Sequence, residues 1–208
     1  MNFSKNNIEA VIFDLGGVIL NIDIQGTFQK FKQLGIGPQG DVLELLKNHN
    51  IFNSFETGKL SPDQFRDEIR KVSGNGFSNQ TFDDIWNSMI LDFPEENIRF
   101  LERVKPRYRT FLMSNTNKIH CDYYSEILHK SYGYKNLDEL LEKAYYSHTS
   151  GMRKPDAGFY EHILNENDLK PQHTLFIDDF AENIEAAGKL GIQTVHLTNG
   201  MSINTLGL

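Results

Sequence analysis

The runs IEAVIFD (8–14), RTFLMSN (109–115) and TLFIDD (174–179) are apolar almost end to end and stop on polar residues. A strand with one wet face alternates apolar and polar residues. A run without alternation suits a strand buried on both faces, which is the situation in a parallel sheet. Two further β-rich runs, AYYSH (144–148) and TVHLTN (194–199), bring the set to five. Helical patterns separate the later runs. Over 156–166, Phe159, Ile163 and Leu164 share a face, and Asp156 places an acid at the start. Over 181–190, Ile184, Ala187 and Leu190 share a face, and Gly191 supplies a stop. Strand alternating with helix predicts an α/β fold with a parallel sheet covered on both sides. In such a sheet ligands bind beyond the carboxyl ends of the strands, where these runs turn polar.

The stretch from about 24 to 95 reads differently, with no convincing strand. FQKFKQLGI, DVLELLKNHNIFNSFETG, SPDQFRDEIRKVSG and NQTFDDIWNSMILDF read as four short amphipathic helices. Ser61-Pro62 is a helix start with proline at the first helical position, and Gly58 and Gly74 are stops. The expected division is a core of residues 1–22 and 96–208 interrupted by a helical insertion, 23–95.

The balance of charges narrows the partners. The 208 residues carry a net charge of −7 and no basic block, which argues against nucleic acid and leaves small charged molecules. A single cysteine, Cys121, excludes an internal disulfide and suits a reducing, cytoplasmic setting. The N-terminus has no apolar signal core, and no run approaches the ~20 apolar residues of a membrane span. A monomer or dimer is expected.

If the strands are parallel, their polar endings converge at one sheet edge: Asp14 from the first, Ser114 and Asn115 from the second, Arg153 and Lys154 from GMRKPD after the third, and Asp178 and Asp179 from the fourth. Three carboxylates in one place repel and raise each other's pKa values. A divalent cation removes that conflict, and carboxylates, a carbonyl and water are what Mg²⁺ accepts. Lysine, serine hydroxyl and backbone N–H groups then suit phosphate oxygens.

These residues carry a resemblance. FDLGGVIL, LMSN, GMRKPD and FIDDFAEN, in that order, resemble the four motifs of the haloacid dehalogenase-like hydrolase superfamily, and the helical insertion resembles its helical-bundle cap on a Rossmann-like core. The wording is most similar to the branch containing α-D-glucose-1-phosphate phosphatase. The resemblance implies a Mg²⁺-dependent phosphatase acting on a small phosphorylated metabolite such as a hexose 1-phosphate. It implies that Asp14 attacks phosphorus and forms an aspartyl-phosphate. Ser114 and the Asn115 backbone N–H would hold phosphoryl oxygens, and Lys154 would bridge nucleophile and phosphate. Asp14, Asp179 and the Gly16 carbonyl would bind the metal, with Asp178 as a second or outer ligand.

Gly16 departs from the superfamily's usual pattern, which has an aspartate there as general acid and base. Losing such a group typically costs ~10²–10⁴-fold. The acid comes from elsewhere, or the leaving group needs little protonation, or the chain is a weak catalyst that binds. Haloacid dehalogenases also lack that aspartate, but their fourth motif is not an Asp pair. Bland readings stand beside these. Asp178-Asp179 suits a cap for the helix near 181, and Arg153 is as readily structural as functional. His120, Cys121, His148 and His162 read as packing residues. Phe52, Phe55, Phe82 and Trp86 read as core of the insertion, with one or two lining a pocket.

Overall fold

A computed structural model describes residues 7–36, 50–74, 76–198 and 200–208. The five expected strands form one parallel sheet: β1 (Ala10–Phe13), β2 (Arg109–Ser114), β3 (Lys143–Tyr146), β4 (Thr174–Asp178) and β5 (Gln193–His196), in the order β3-β2-β1-β4-β5. The lack of alternation in the central runs has its physical reason here. Val11, Phe13, Leu112, Leu175 and Ile177 enter one buried cluster, and Ala10, Ile12, Phe111, Met113 and Phe176 enter another on the opposite face. Both faces are dry, so the strand interiors are apolar on either side.

Helices α5 (Glu95–Val104) and α6 (Lys118–Tyr132) cover the first face with Phe100, Leu101, Val104, Tyr124 and Leu128. Helices α8 (Ala157–Glu166) and α9 (Ala181–Lys189) cover the second with Phe159, Tyr160, Ile163 and Ala187. Asp156 is the N-cap of α8 but makes no side-chain cap bond. The run AYYSH ends as strand at Tyr146, because Ser147 opens the short helix α7 (Ser147–Ser150). Ser147 Oγ donates to Thr116 O and accepts from Thr116 N, both at 2.9 Å, tying that turn to the end of β2.

Between β1 and α5 lie α1 (Ile24–Gln33), α2 (Ile51–Glu56), α3 (Pro62–Ser73) and α4 (Asn79–Asn87). Part of the expected helix over 41–58 lies outside the described residues, and α2 is its described portion. Helix α3 starts on a capping box between Ser61 and Gln64, with Pro62 at its first position, and stops at Gly74 in the left-handed conformation. These helices have their own aromatic cluster, with Phe31, Phe55, Phe65, Phe82 and Trp86 buried together. Ile119 of α6 joins it from the sheet's side. The run read as helix through Phe93 ends at Asn87. The chain beyond it extends and pairs with the strand leaving β1: Leu91 N donates to Asn21 O at 3.0 Å and Asp23 N to Met89 O at 2.8 Å. Two antiparallel connectors therefore lead into and out of the insertion.

Candidate active site

The strand order sets the location. From β1 the sheet grows through β2 to β3, and then β4 returns to the other side of β1. A crevice opens at such a switch point, beyond the carboxyl ends of β1 and β4. Register then aligns the chemistry. Phe13 pairs with Ile177, and Asp14 N donates to Ile177 O at 2.9 Å, so Asp14 lies beside Asp178 one step on.

Lys154 reaches between these two acids. Its Nζ is 2.7 Å from Asp14 Oδ1 and 2.7 Å from Asp178 Oδ2, and the residue is 1% exposed. Burial works against the Lys154 charge, and the two carboxylates outweigh it and hold the ammonium above its ordinary value. Burial pushes Asp14 up, to about 7, against the pull of Lys154 and with the help of the Asp178 charge. Asp178 is saturated by protein donors. Oδ1 accepts from Phe180 N at 2.8 Å, Asn183 Nδ2 lies 3.0 Å from both oxygens, and Lys154 takes Oδ2. Asp178 thus ties the entry of α9 to the sheet through Phe180 N and the Asn183 side chain, without a side-chain cap bond to the helix, while it also holds Lys154.

Asp179 is the opposite case. Its Oδ1 is buried without a hydrogen-bond partner, and burial, with Asp178 next, raises its pKa to about 6. One ligand oxygen from each of Asp14, Asp178 and Asp179 can be chosen so that all lie within 4.8 Å of one another. Against one ammonium, three ionised carboxylates leave two negative charges unbalanced. An unpartnered buried oxygen and an all-oxygen donor set fit a hard divalent cation.

The two glycines after Asp14 play different parts. The chain from Leu15 to Leu20 folds back on itself, with Leu15 O accepting from the amides of Val18, Ile19 and Leu20. Gly17 turns at φ 76°, and a Cβ there would sit 2.4 Å from Asp179 Oδ2. Gly16 has no such backbone demand, and its Cβ would meet Ile22 Cδ1 at 3.1 Å. Asn97 of α5 secures this turn by donating from Nδ2 to Ile19 O at 3.1 Å and to Val18 O at 3.3 Å.

Asn115 has a part that its position in the run does not announce. Its Oδ1 accepts from Lys154 N at 2.8 Å and its Nδ2 donates to Lys154 O at 2.9 Å. The side chain clamps the backbone that carries the ammonium. A cavity of about 540 Å³ opens over Asp14, Gly16 and Lys154. Asn115 and Thr116 line it, whereas Ser114, buried at the end of β2, is not among the lining residues. The helical insertion roofs it with Phe28, Phe52 and Trp86, so two of the four aromatics read as core also face this space, while Phe55 and Phe82 do not. His120 is structural. Its Nδ1 is 3.2 Å from Asn117 Nδ2 and its Nε2 2.9 Å from Trp86 O, and burial lowers its pKa to about 4. Arg153 reaches the insertion, with Nη2 2.9 Å and Nε 3.2 Å from Glu56 Oε2. Glu56 lines the cavity too and carries no motif signal that would have found it in the sequence.

The chain belongs to the haloacid dehalogenase-like hydrolases, whose family model matches residues 8–191. It is 28% identical to D-ribitol-5-phosphate phosphatase of Bacteroides thetaiotaomicron, an alignment covering 93% of each chain. It is also 28% identical to a sesquiterpene phosphatase of Aspergillus oryzae, over 93% of this chain and 92% of that one. A crystal structure of a family enzyme from Bacteroides thetaiotaomicron, in complex with magnesium and inorganic phosphate, superposes with a TM-score of 0.85 at 31% identity, covering 94% of this chain and 97% of that one.

Proposed function

We propose that this chain is a Mg²⁺-dependent phosphomonoesterase acting on a small phosphorylated metabolite through an aspartyl-phosphate on Asp14. The observation that carries the reading is the Lys154 ammonium bridging Asp14 and Asp178 beside the unpartnered oxygen of Asp179. Support comes from two relatives named as phosphatases and from a solved relative that holds magnesium and inorganic phosphate.

Asp14, Asp179 and the Gly16 carbonyl would hold the cation, with Asp178, its oxygens already occupied, as an outer ligand. When bound, Mg²⁺ neutralises the carboxylate cluster and the phosphoryl oxygens. An oxygen of Asp14 attacks phosphorus, and Lys154 favours the ionised form of that carboxylate against burial and offsets charge on the phosphoryl group. The Asn115 N–H would hold a phosphoryl oxygen; Ser114, expected to share that part, is not among the residues lining the cavity. Residues 23–95 act as a cap over the core of 1–22 and 96–208, and its closure excludes water.

A sugar or sugar-alcohol phosphate fits the polar groups of the cavity lining, Thr116, Glu56 and Arg153 among them. The apolar part of the lining, with Phe28, Phe52, Trp86 and Met89, favours a second reading in which the leaving group is apolar. A panel of sugar, polyol and prenyl phosphates separates the two by kcat/KM. The phosphatase reading is sunk if hydrolysis survives both EDTA and Asp14→Asn. Halide release from a 2-haloacid in chelator would place the chain with the dehalogenases instead.

A further inference from the structure

Gly16 cannot move a proton, so a phosphatase built on Asp14 needs another group to protonate the departing alcohol. The ionisable side chains lining the cavity are Asp14, Glu56, His120, Arg153, Lys154 and Glu182. Asp14 is the nucleophile of the proposed reaction, and Lys154 is held between two carboxylates. His120 has both ring nitrogens engaged. Arg153 is always charged. Glu182 is exposed in the first turn of α9. Glu56 is left, buried at the end of α2 and 5% exposed. Both bonds from Arg153 fall on its Oε2, and among the described residues none reaches Oε1.

We infer that Glu56, carried by the helical insertion, is the general acid and base that Gly16 does not supply. This rests on the phosphatase reading. As the Asp14–phosphorus bond forms and the bond to the ester oxygen breaks, the Glu56 carboxyl gives its proton to that oxygen and the alcohol departs. The Glu56 carboxylate then takes a proton from water as the water attacks phosphorus. The Asp14–phosphorus bond breaks, releasing inorganic phosphate, and Glu56 is protonated again. Burial pushes Glu56 up to about 7, against the opposing charges of Arg153 and then Lys154, so it exchanges protons near neutrality. Those two cations are the charged groups acting on it. A phosphate in the cavity adds negative charge and favours the protonated acid further. Because the acid arrives on the insertion while the nucleophile sits on β1, the proton path is complete only with the insertion seated on the core. Two contacts show that seating: the Glu56–Arg153 pair, and Gly58, where a Cβ would lie 2.1 Å from His148 O.

Glu56→Gln keeps the shape and removes the proton. With 4-nitrophenyl phosphate, whose phenolate leaves unaided, the variant is expected to release a burst of one nitrophenolate per active site and then turn over slowly. With the best alkyl monoester of the panel, kcat is expected to fall ~10²–10⁴-fold without a burst. Gly16→Asp added to Glu56→Gln is expected to regain part of that loss. Unchanged turnover on both substrates overturns the inference. So does an equal slowing of both substrates without a burst, the mark of a group that only seats the insertion. A wild-type enzyme inert on every monoester overturns the phosphatase reading itself.

Discussion

Replacing Gly17 by alanine tests how the turn after Asp14 prepares the carboxylate cluster. Gly17 holds φ 76°, a region that costs an L-residue about 1–2 kcal/mol. The added Cβ would also stand 2.4 Å from Asp179 Oδ2 and 2.8 Å from its Cγ. The backbone there is fixed by the Leu15–Leu20 turn, so the Asp179 side chain has to swing away. The backbone penalty alone predicts a fall in thermal midpoint of about 2–8 °C, at about 2–4 °C per kcal/mol for a chain of this size. If Asp179 holds the cation as proposed, displacing it predicts a loss of Mg²⁺ affinity of at least the ~10–100-fold that disturbing an outer partner costs, or at least about 1.4–2.8 kcal/mol. Calorimetric titration of Mg²⁺ reads the second quantity and differential scanning calorimetry the first. Gly16→Ala is the control, because it carries no positive φ and asks the end of Ile22 to yield by only a few tenths of an ångström. It should bind Mg²⁺ as the wild type does. If Gly17→Ala keeps wild-type affinity, or Gly16→Ala weakens it equally, the assignment of Asp179 and its glycine cradle is wrong.

Asn115→Ala removes both bonds to the Lys154 backbone. It should cost about 1–3 kcal/mol of stability and lower kcat more than it raises KM. Lys154→Met leaves Asp14 and Asp178 without their shared ammonium, so turnover should fall ~10²–10³-fold, measured with saturating Mg²⁺. Glu56 has a folded value raised from 4.5 to about 7. Its favourable contribution is therefore fully present below 4.5 and lost as pH rises through about 7. The thermal midpoint of Glu56→Gln, measured in EDTA, should accordingly change less between about pH 5 and pH 8 than that of the wild type. Arg153 lowers the Glu56 value, so Arg153→Met should move the alkaline fall of kcat on an alkyl monoester to higher pH.

Much of this was legible in the chain because it is local. A strand dry on both faces has to be continuously apolar, so three runs announced the buried strands of the sheet, with two β-rich runs beside them, and Ser61-Pro62 with Gly74 announced α3 through caps that need no tertiary partner. The strand-end acids could be gathered in advance because parallel strands bring their carboxyl ends to one edge. Helix α5 escaped notice, since its start at Glu95 reads from sequence as a joint. Its Asn97 has a task that exists only where the turn at 15–20 is folded beside it.

What the sequence determined by itself was the strand that carries Asp14, the three carboxylates, the lysine and the absence of a side chain at Gly16. What only the tertiary structure decided was which carboxylate stays free and which acid faces the cavity from outside the sheet. Asp178 and Asp179 are neighbours of the same type. Asn183, Phe180 N and Lys154 consume the first, while the second keeps a bare oxygen. Glu56 and Arg153 stand 97 residues apart, and no local pattern encodes their meeting. Charge placement follows from which surfaces close on each other, a property of the packed chain rather than of any short stretch.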